Sequence, residues 1–503
     1  MMYGEEKSDS LIVAANLANN PQGAESVERR SGAKGNAEQP HMRRTQSRES
    51  MSQRLSRVRE AAKQRKKERF TALFHLLTAE ALENAFLSLS RKAAAGVDGV
   101  RWKDYAENLK VNIADLHRRL HQGSYRAQPG RRHYIPKADG KQRPLGIASL
   151  EDKIVQYALV KILNAVYEND FMGFSYGFRP GRSQHNALDA LATGLVRTNV
   201  NWVLDADISQ FFDKVSHEWL IRFIEHRIGD QRVIRLIRKW LTAGTSEEGE
   251  WRASEEGEWR ASEEGTPQGA VISPLLANIY LHYVFDLWAH QWRRRHATGN
   301  VVMVRYADDI VIGFDKRIDA QCFRIAMQRR LKEFGLTVHP KKTRLTEFGR
   351  FAAENRASRG KGKPETFNFL GFTHISGKDR SGRVMLIRKT RRDRMTATLK
   401  AIKDGLRKRW HYSIPEQGKW LRRVVQGYLN YHSVPGNYPM MRKFRIYVTD
   451  LWRRALRRRS QQDDTTWTKA NRLAAVWLPK VRVLHPWPVE RFTARHPRQE
   501  PGA

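Results

Sequence analysis

The chain has 503 residues, with 91 Lys and Arg against 53 Asp and Glu, a net charge of +38 and an isoelectric point near 10.5. Such an excess repels itself in isolation and suits a polyanionic partner, nucleic acid before a membrane surface. No apolar run approaches the roughly 18 residues of a membrane span, and the single cysteine, Cys322, excludes an internal disulfide and any zinc site built on two or more cysteines, so a reducing, cytosolic setting is expected.

Residues 1–40 are polar, with little periodicity, and read as a flexible leader. "LIVAA" at 11–15 follows acidic residues and lacks a basic leader, so no secretory signal is expected. Residues 41–70 hold eleven Lys or Arg and three Glu, which reads as a basic arm touching RNA or as a solvated helix face. From "FTALFHLLTAEALENAFLSL" onward Leu and Phe recur at helical spacing and a globular region begins. "NWVLDADI" reads as a strand. "HEWLIRFIEHRI" and "QRVIRLIRKWLTAG" read as amphipathic helices, the second ending at Gly244. "SEEGEWRA" occurs at 246–253 and again at 254–261. One eight-residue repeat is too short for a solenoid, whose units run to about 20 residues or more, and it reads as a tandem duplication lengthening a surface hairpin. "AVISPLLANIYLHYVFDLWAHQW" reads as one long buried helix with Pro274 near its start. Then come a hairpin over 301–314, a helix around 318–334, and short strands near "RLTEF" and "FNFLGFTH". The mixture predicts an α+β fold with an antiparallel sheet.

The hairpin "VVMVRYADDIVIGF" carries two adjacent carboxylates at its tip, Asp308 and Asp309. Asp-Asp is a fair turn signal. It is also a fair Mg²⁺ site, since that ion usually takes one or two carboxylates plus substrate phosphates. A third carboxylate is available in "VLDADISQFFDKVSH". Asp205 and Asp207 share a strand face by period-two alternation; Asp207 ends the apolar run, and Asp213, near the following turn, could equally cap a helix. Asp207 and Asp308 could thus converge on two Mg²⁺ ions, which at about 3.5–4 Å separation clamp attacking and leaving oxygens in phosphoryl transfer.

"AAAGVDGV", "IPKADGKQRPLGI", "SYGFRPGRS", "DADISQFFD", "GTPQGAVISPLLANIYL", "RYADD", "FNFLGFTH" and "RRVVQGYLNYH" occur in this order over roughly 70–500. The ordered set closely resembles the group II intron reverse transcriptase/maturases. The resemblance implies a right-hand polymerase, fingers and palm with an antiparallel sheet, followed by a helical thumb/maturase domain. The expected boundaries are 1–70 for a flexible basic extension, 71–200 for fingers, 201–375 for palm, 376–460 for thumb and 461–503 for a short basic C-terminal segment. It implies that Asp207, Asp308 and Asp309 are catalytic and, with the Ile208 carbonyl, hold a two-ion Mg²⁺ site. Phe212 matches the family's steric gate against a ribose 2′-OH. Lys137 and Arg143 match the residues that hold the incoming triphosphate, where charge-assisted bonds suit both types. Gln268, with Gly269, would lie under the template–nucleotide pair, Ala270 stands where a glycine is common, and Lys342 is a candidate acid for the pyrophosphate leaving group.

From Lys378 to Arg459 there are twenty-four Lys or Arg and five Asp or Glu. Aromatics interleave, most of them expected in helix cores, while basic faces suit an A-form duplex gripped through shape, phosphates and 2′-OH groups. Arg422, Arg423, Arg457, Arg458 and Arg459 are the expected RNA contacts. Only 44 residues follow Arg459, and the cysteine pairs of an appended His-Asn-His nuclease are missing, so no endonuclease is expected. The implied function is RNA-directed DNA synthesis, with binding of the group II intron RNA to assist splicing and support of retrohoming. The implied partners are that RNA, an RNA template with a DNA primer, deoxynucleoside triphosphates and target DNA, with no membrane, in a bacterial cytosol or nucleoid. A splicing-only maturase and a reverse transcriptase captured for host defence are the rivals. Deleting one copy of "SEEGEWRA" is expected to leave primer extension and RNA binding within about twofold of the parent protein; a tenfold loss in either assay would show that the duplicated segment contacts substrate.

Overall fold

The computed structural model describes residues 38–136, 142–246, 264–266, 268–378, 382, 384–459 and 465–495, without the side chains of 38–50, Pro136, Arg143, 245–246 and Arg495. The duplicated "SEEGEWRA" therefore lies outside the described residues, apart from the backbone of Ser246. The chain opens with helix α1 (Glu38–Gln64). Met51, Leu55 and Val58 pack on the main core, and Ala62 is fully buried in it. Arg227, 3% exposed, then grips the following turn through the carbonyls of Arg65 (2.9 Å) and Glu68 (2.7 Å) while pairing with Asp170 (2.8 Å). The basic extension expected to be flexible through residue 70 is thus an anchored helix from Met51 on, with its basic residues on the outward side.

The fingers comprise α2 (Ala79–Ser88), α3 (Leu109–His121), the hairpin β1 (Gly130–Pro136) and β2 (Gln142–Ile147), α4 (Leu150–Tyr167) and α5 (Gln184–Arg197). β1 and β2 are antiparallel, with Ile135 opposite Arg143.

The palm follows, with β3 (Trp202–Asp207), α6 (His217–Glu225), α7 (Gln231–Thr242) and a two-residue β4 (Thr245–Ser246) pairing with β1. Ser216 caps α6 by accepting from the Trp219 N–H. Asp230 caps α7 and also accepts from Leu73 and Phe74 N–H groups, both at 2.9 Å. The long apolar helix expected at 270–292 starts at Ser273, with Pro274 in its first turn. It is interrupted: α8 (Ser273–Leu281) passes through a π-helical turn (His282–Asp286) into α9 (Leu287–His296). Such single turns are frequent at functional sites, and this one aims Asp286 inward. Next come β5 (Val301–Tyr306), β6 (Asp309–Phe314), α10 (Arg317–Glu333) and β7 (Arg344–Glu347). The palm sheet is antiparallel in the order β5-β6-β3-β7, and its β-branched strands β5 and β6 are almost wholly buried.

A second antiparallel sheet, β10-β9-β8, is built from β8 (Thr366–Phe369), β9 (Phe372–Lys378) and β10 (Val384–Thr390). The expected palm–thumb boundary at 375/376 falls inside β9. The helical thumb starts later, with α11 (Arg392–Arg407), α12 (Ile414–His432) and α13 (Tyr438–Arg457), backed by α14 (Trp467–Trp477). A Ser413–Glu416 capping box and Pro415 start α12. Leu421, Val425, Tyr428 and Leu429 are buried, with Phe444, Val448 and Trp452 of α13, in a core separate from that shared by fingers and palm. The last helix, α15 (Pro488–Arg495), returns to α5. Asp189 of α5 accepts from both Arg388 of β10 (3.3 Å) and Arg491 of α15. No helix of the described residues is long and apolar enough to cross a membrane.

His374, in β9, is fully buried and stacks on Phe367 with ring centroids 4.8 Å apart. Burial and the charge of Arg388 push its imidazole down to about 3. The unfolded chain therefore binds a proton below about 6.5 that the folded chain refuses, and the stability this site contributes is lost as pH falls from 6.5 towards 3. Urea unfolding should show His374→Phe gaining about 1.4 kcal/mol on the parent protein between pH 7.5 and 5.5; an unchanged gap would mean that the imidazole is protonated in the fold.

Candidate active site

Asp207 stands directly opposite Asp309 at the open end of the β3–β6 pair, and Asp205, two residues back, is on the same face. Directly opposed side chains lie about 4.5–5.5 Å apart at Cβ, and like charges there are destabilising. Loss of water and the nearby charges of Asp309 and Asp207 lift the Asp205 carboxyl to about 7. Asp309 opens to solvent at its tip, yet the crowded floor of the palm desolvates it, and with the charges of Asp308 and Asp207 raises it to about 7 as well. Among the described residues the cation bonded to this face is Lys342, whose Nζ donates to Asp207 Oδ2 at 2.9 Å.

Asp308 sits in the two-residue turn between Tyr306 and Asp309, after Ala307, whose φ of 57° is left-handed. For a residue with a Cβ that geometry costs about 1–2 kcal/mol. It is held by Arg305, which is fully buried and has all five N–H donors bonded. Two go to Asp286 (2.6 Å each), one to Asn278 Oδ1 (3.1 Å), one to Ser175 Oγ (2.7 Å) and one to the Ala307 carbonyl (3.0 Å). The "SYGFRP" segment runs alongside: the Tyr176 N–H donates to the Arg305 carbonyl at 2.8 Å. A Cβ on Gly177 would lie 2.3 Å from the Ala307 nitrogen, so only glycine lets this segment close on the turn. Sequence reasoning missed Arg305 and Asp286. The signal was there, as each is a lone charge within an apolar run.

Four non-glycine residues have positive φ among the described residues: Phe178, Gln210, Ala307 and Leu370. They fall in "SYGFRP", "DISQFFD", "YADD" and "FNFLGF", so the strained backbone coincides with the motifs. Gln210 leads into a 3-10 turn carrying Phe211, buried beneath, and Phe212, half-buried. Gln268 reaches Asp213 Oδ1 (3.0 Å), and its carbonyl accepts from the Gly146 N–H (2.6 Å), which ties "PQG" to β2. Gly269 has φ 113° and a Cβ there would meet the Gly146 carbonyl oxygen at 2.9 Å, so this glycine is required. Ala270 is buried beside a small cavity lined by Gly146, Ala148 and Trp240, where its methyl has room. Ser209 N–H donates to the Thr337 carbonyl and the Asp207 carbonyl accepts from His339 N–H, an isolated bridge around Val338, while the Ile208 carbonyl accepts no backbone N–H among the described residues. Lys137 and the side chain of Arg143 lie outside the described residues.

A cleft of about 870 Å³ lies between the β8–β9 hairpin and the first half of α11, lined by Asn368, Thr373, Arg392, Lys400 and the ion pair of Arg391 with Asp393 (2.7 Å). The charge of Arg391, on the wall of this cleft, is within electrostatic reach of both Asp205 and Asp309, though it is the least of the influences on either. Of the expected RNA contacts, Arg422, Arg423, Arg457 and Arg458 are exposed. Arg422 also donates to the carbonyls of Trp477 (3.1 Å) and Val476 (2.7 Å), closing the end of α14. Arg459 bonds the Tyr412 carbonyl.

A carboxylate face at a strand end and hairpin tip, opening on a basic cleft, is the arrangement that a nucleotide polymerase requires, and residues 135–374 match the family described as reverse transcriptase (RNA-dependent DNA polymerase). Residues 135–374 are similar to a reverse transcriptase domain. The chain is similar to protein YkfC of Escherichia coli (strain K12), 41% identical over 214 residues, 42% of this chain and 54% of that protein. It is similar to the group II intron-encoded protein LtrA of Lactococcus lactis subsp. cremoris, 36% identical over 231 residues, 45% of this chain and 37% of that protein. It also matches nuclear intron maturase 2, mitochondrial, of Arabidopsis thaliana, 32% identical over 91 residues, 18% of this chain and 12% of that protein. The chain thus spans about half, or less, of the length of these relatives. Reverse transcriptases use divalent metal ions. Among the described residues no three His, Cys, Asp or Glu side chains form a ready-made metal cage. The donor set nevertheless fits Mg²⁺, which keeps waters and substrate phosphates around one or two carboxylates, and a divalent cation would relieve the repulsion between Asp207 and Asp309.

Arg305→Lys keeps a charge but loses the planar fork. Breaking a buried, fully bonded pair costs about 3–5 kcal/mol. The urea midpoint of the reverse transcriptase domain should fall accordingly, and primer extension at a temperature where the variant remains folded should fall at least tenfold. Unchanged extension would mean that the turn holds its shape without this anchor.

Proposed function

We propose that the protein is an RNA-directed DNA polymerase that also binds its group II intron RNA, assists splicing and supports retrohoming. The observation that carries the reading is the carboxylate face of Asp205, Asp207 and Asp309, with Asp308 at the adjoining tip, at the head of a basic cleft. Asp207, Asp308 and Asp309, with the Ile208 carbonyl, would hold two Mg²⁺ ions. When bound, these supply the charge stabilisation for the attacking and leaving oxygens. The protein's own part is positioning, worth about 7–11 kcal/mol in well-oriented reactions. The β8–β9 hairpin and Arg391–Lys400 would hold a primer so that its 3′-OH faces the α-phosphate of the incoming nucleotide. Lys137 and Arg143 would bind the triphosphate, and Gln268 with Gly269 would lie under the nascent pair. Phe212 would stand against the ribose 2′ position, so that a deoxynucleotide fits. Lys342, bonded to Asp207, would be the acid for the departing pyrophosphate. The basic faces of α1 and the thumb would hold intron RNA away from the carboxylates, with target DNA reached from the same complex.

If Asp308 served only the turn, Asn would replace it well. If it holds a metal ion, Asp308→Asn removes charge stabilisation of several kcal/mol. At about 1.4 kcal/mol per tenfold, DNA synthesis should fall at least a thousandfold. Affinity for intron RNA should stay within about twofold. Primer extension and filter binding on one preparation, with circular dichroism for folding, test both. A folded Asp308→Asn protein that extends primers near the parent rate would sink the reading.

A further inference from the structure

A groove on the thumb is lined by the second half of α11, the loop after it and the end of α13, and begins one turn beyond Lys400 of the cleft described above. Its floor is apolar: Leu406, Leu451 and Ala455. Its wall is Trp410, 37% exposed. No stacked ring or overlying cation covers that indole among the described residues, whereas Trp420 carries the Arg409 guanidinium at 4.4 Å and Trp477 that of Arg422 at 5.6 Å. The rim holds Lys403, Arg407, Arg454 and Arg458. Arg407 and Arg454 are balanced by Asp404 (3.7 Å) and Asp450 (2.7 Å). Lys403 and Arg458 have no ion pair among the described residues, and no carboxylate lines the groove.

A cavity of about 100 Å³ is on the scale of a single aromatic ring, since an apolar cavity of roughly 150 Å³ takes benzene. A flat, uncovered indole over an apolar floor suits a π-face, and unstacked bases of RNA bind on such platforms while the backbone lies on cations. We propose that this groove seats one unpaired nucleobase of a bound RNA, with the flanking phosphates on Lys403 and Arg458. The inference rests on the RNA-binding reading above and adds to it: the thumb reads a bulged or looped nucleotide as well as gripping a duplex. An acidic peptide would meet the same rim but has no ring for Trp410 and no use for the floor.

The test uses the full chain and two RNA hairpins at one salt concentration, one fully paired and one with a single bulged 2-aminopurine. The parent protein should bind the bulged hairpin roughly tenfold more tightly, in keeping with base–aromatic stacking, and quench its fluorescence. Trp410→Ala should bring its affinity down to that of the paired hairpin and abolish the quenching; Trp410→Phe should restore most of both. Should Trp410→Ala fail to melt cooperatively, the double variant Lys403→Gln/Arg458→Gln serves instead, with a weaker bulge preference and a salt slope shallower by roughly 0.7 per lost contact. Equal affinity of the parent protein for the two hairpins would overturn the groove assignment and leave the RNA-binding reading intact. So would a preference that survives Trp410→Ala, or polyglutamate binding that depends on Trp410. Failure to bind either hairpin would overturn both.

Discussion

Arg305 is a fully buried cation next to the end of a strand, bonded through all five donors to Asp286, Asn278, Ser175 and the Ala307 carbonyl. Desolvating such a pair is expensive, and an apolar pair of similar volume often does as well for stability alone. What an apolar pair cannot do is fix a carbonyl, an amide and a hydroxyl in one geometry. The left-handed Ala307 depends on that, and Ala307 decides where Asp308 points. The π-helical turn has its reason here too, since it carries Asp286 at its end. The close approach of Gly177 completes the clamp from the other side. Three segments far apart in the chain are thereby committed to one turn of two residues.

The same logic explains the pattern of strain. The positive-φ residues Phe178, Gln210, Ala307 and Leu370 sit on connections, not in the regular elements that frame them. The frame is regular and well buried, as the β-branched interior of β5 and β6 requires, and can hold irregular connections in place. Opposed Asp207 and Asp309 are a second stored cost, one that a divalent cation would remove.

Much of this was legible in the sequence. The palm hairpin, α6, α7 and α10 followed from periodicity, and the ordered motifs pointed to the polymerase fold. The carboxylate face followed from two-residue alternation in β3. What could not be read was non-local. Nothing local to "VVMVRY" says that its arginine turns inward to meet an aspartate nineteen residues away. The strand β10, "VMLIRKT", lies in a basic stretch and was absorbed into the thumb. The basic arm looked mobile because its apolar residues, Met51, Leu55, Val58 and Ala62, are sparse and find their partner only on α4. That Arg422 also closes the end of α14 could not be read, because its partners lie more than fifty residues on.

Asp189 holds both Arg388, where the chain leaves the second sheet, and Arg491, where it returns. Both ends of the thumb are moored to one carboxylate on a finger helix, and the hundred or so residues between them form a closed excursion. In topological terms the thumb is an insertion, not an appendage. A thumb exchanged between relatives would have to be cut between residues 388 and 491, leaving both moorings behind. On the ribosome the second mooring emerges only after the whole thumb has been made, so fingers and palm are complete long before the thumb's position relative to them is secured.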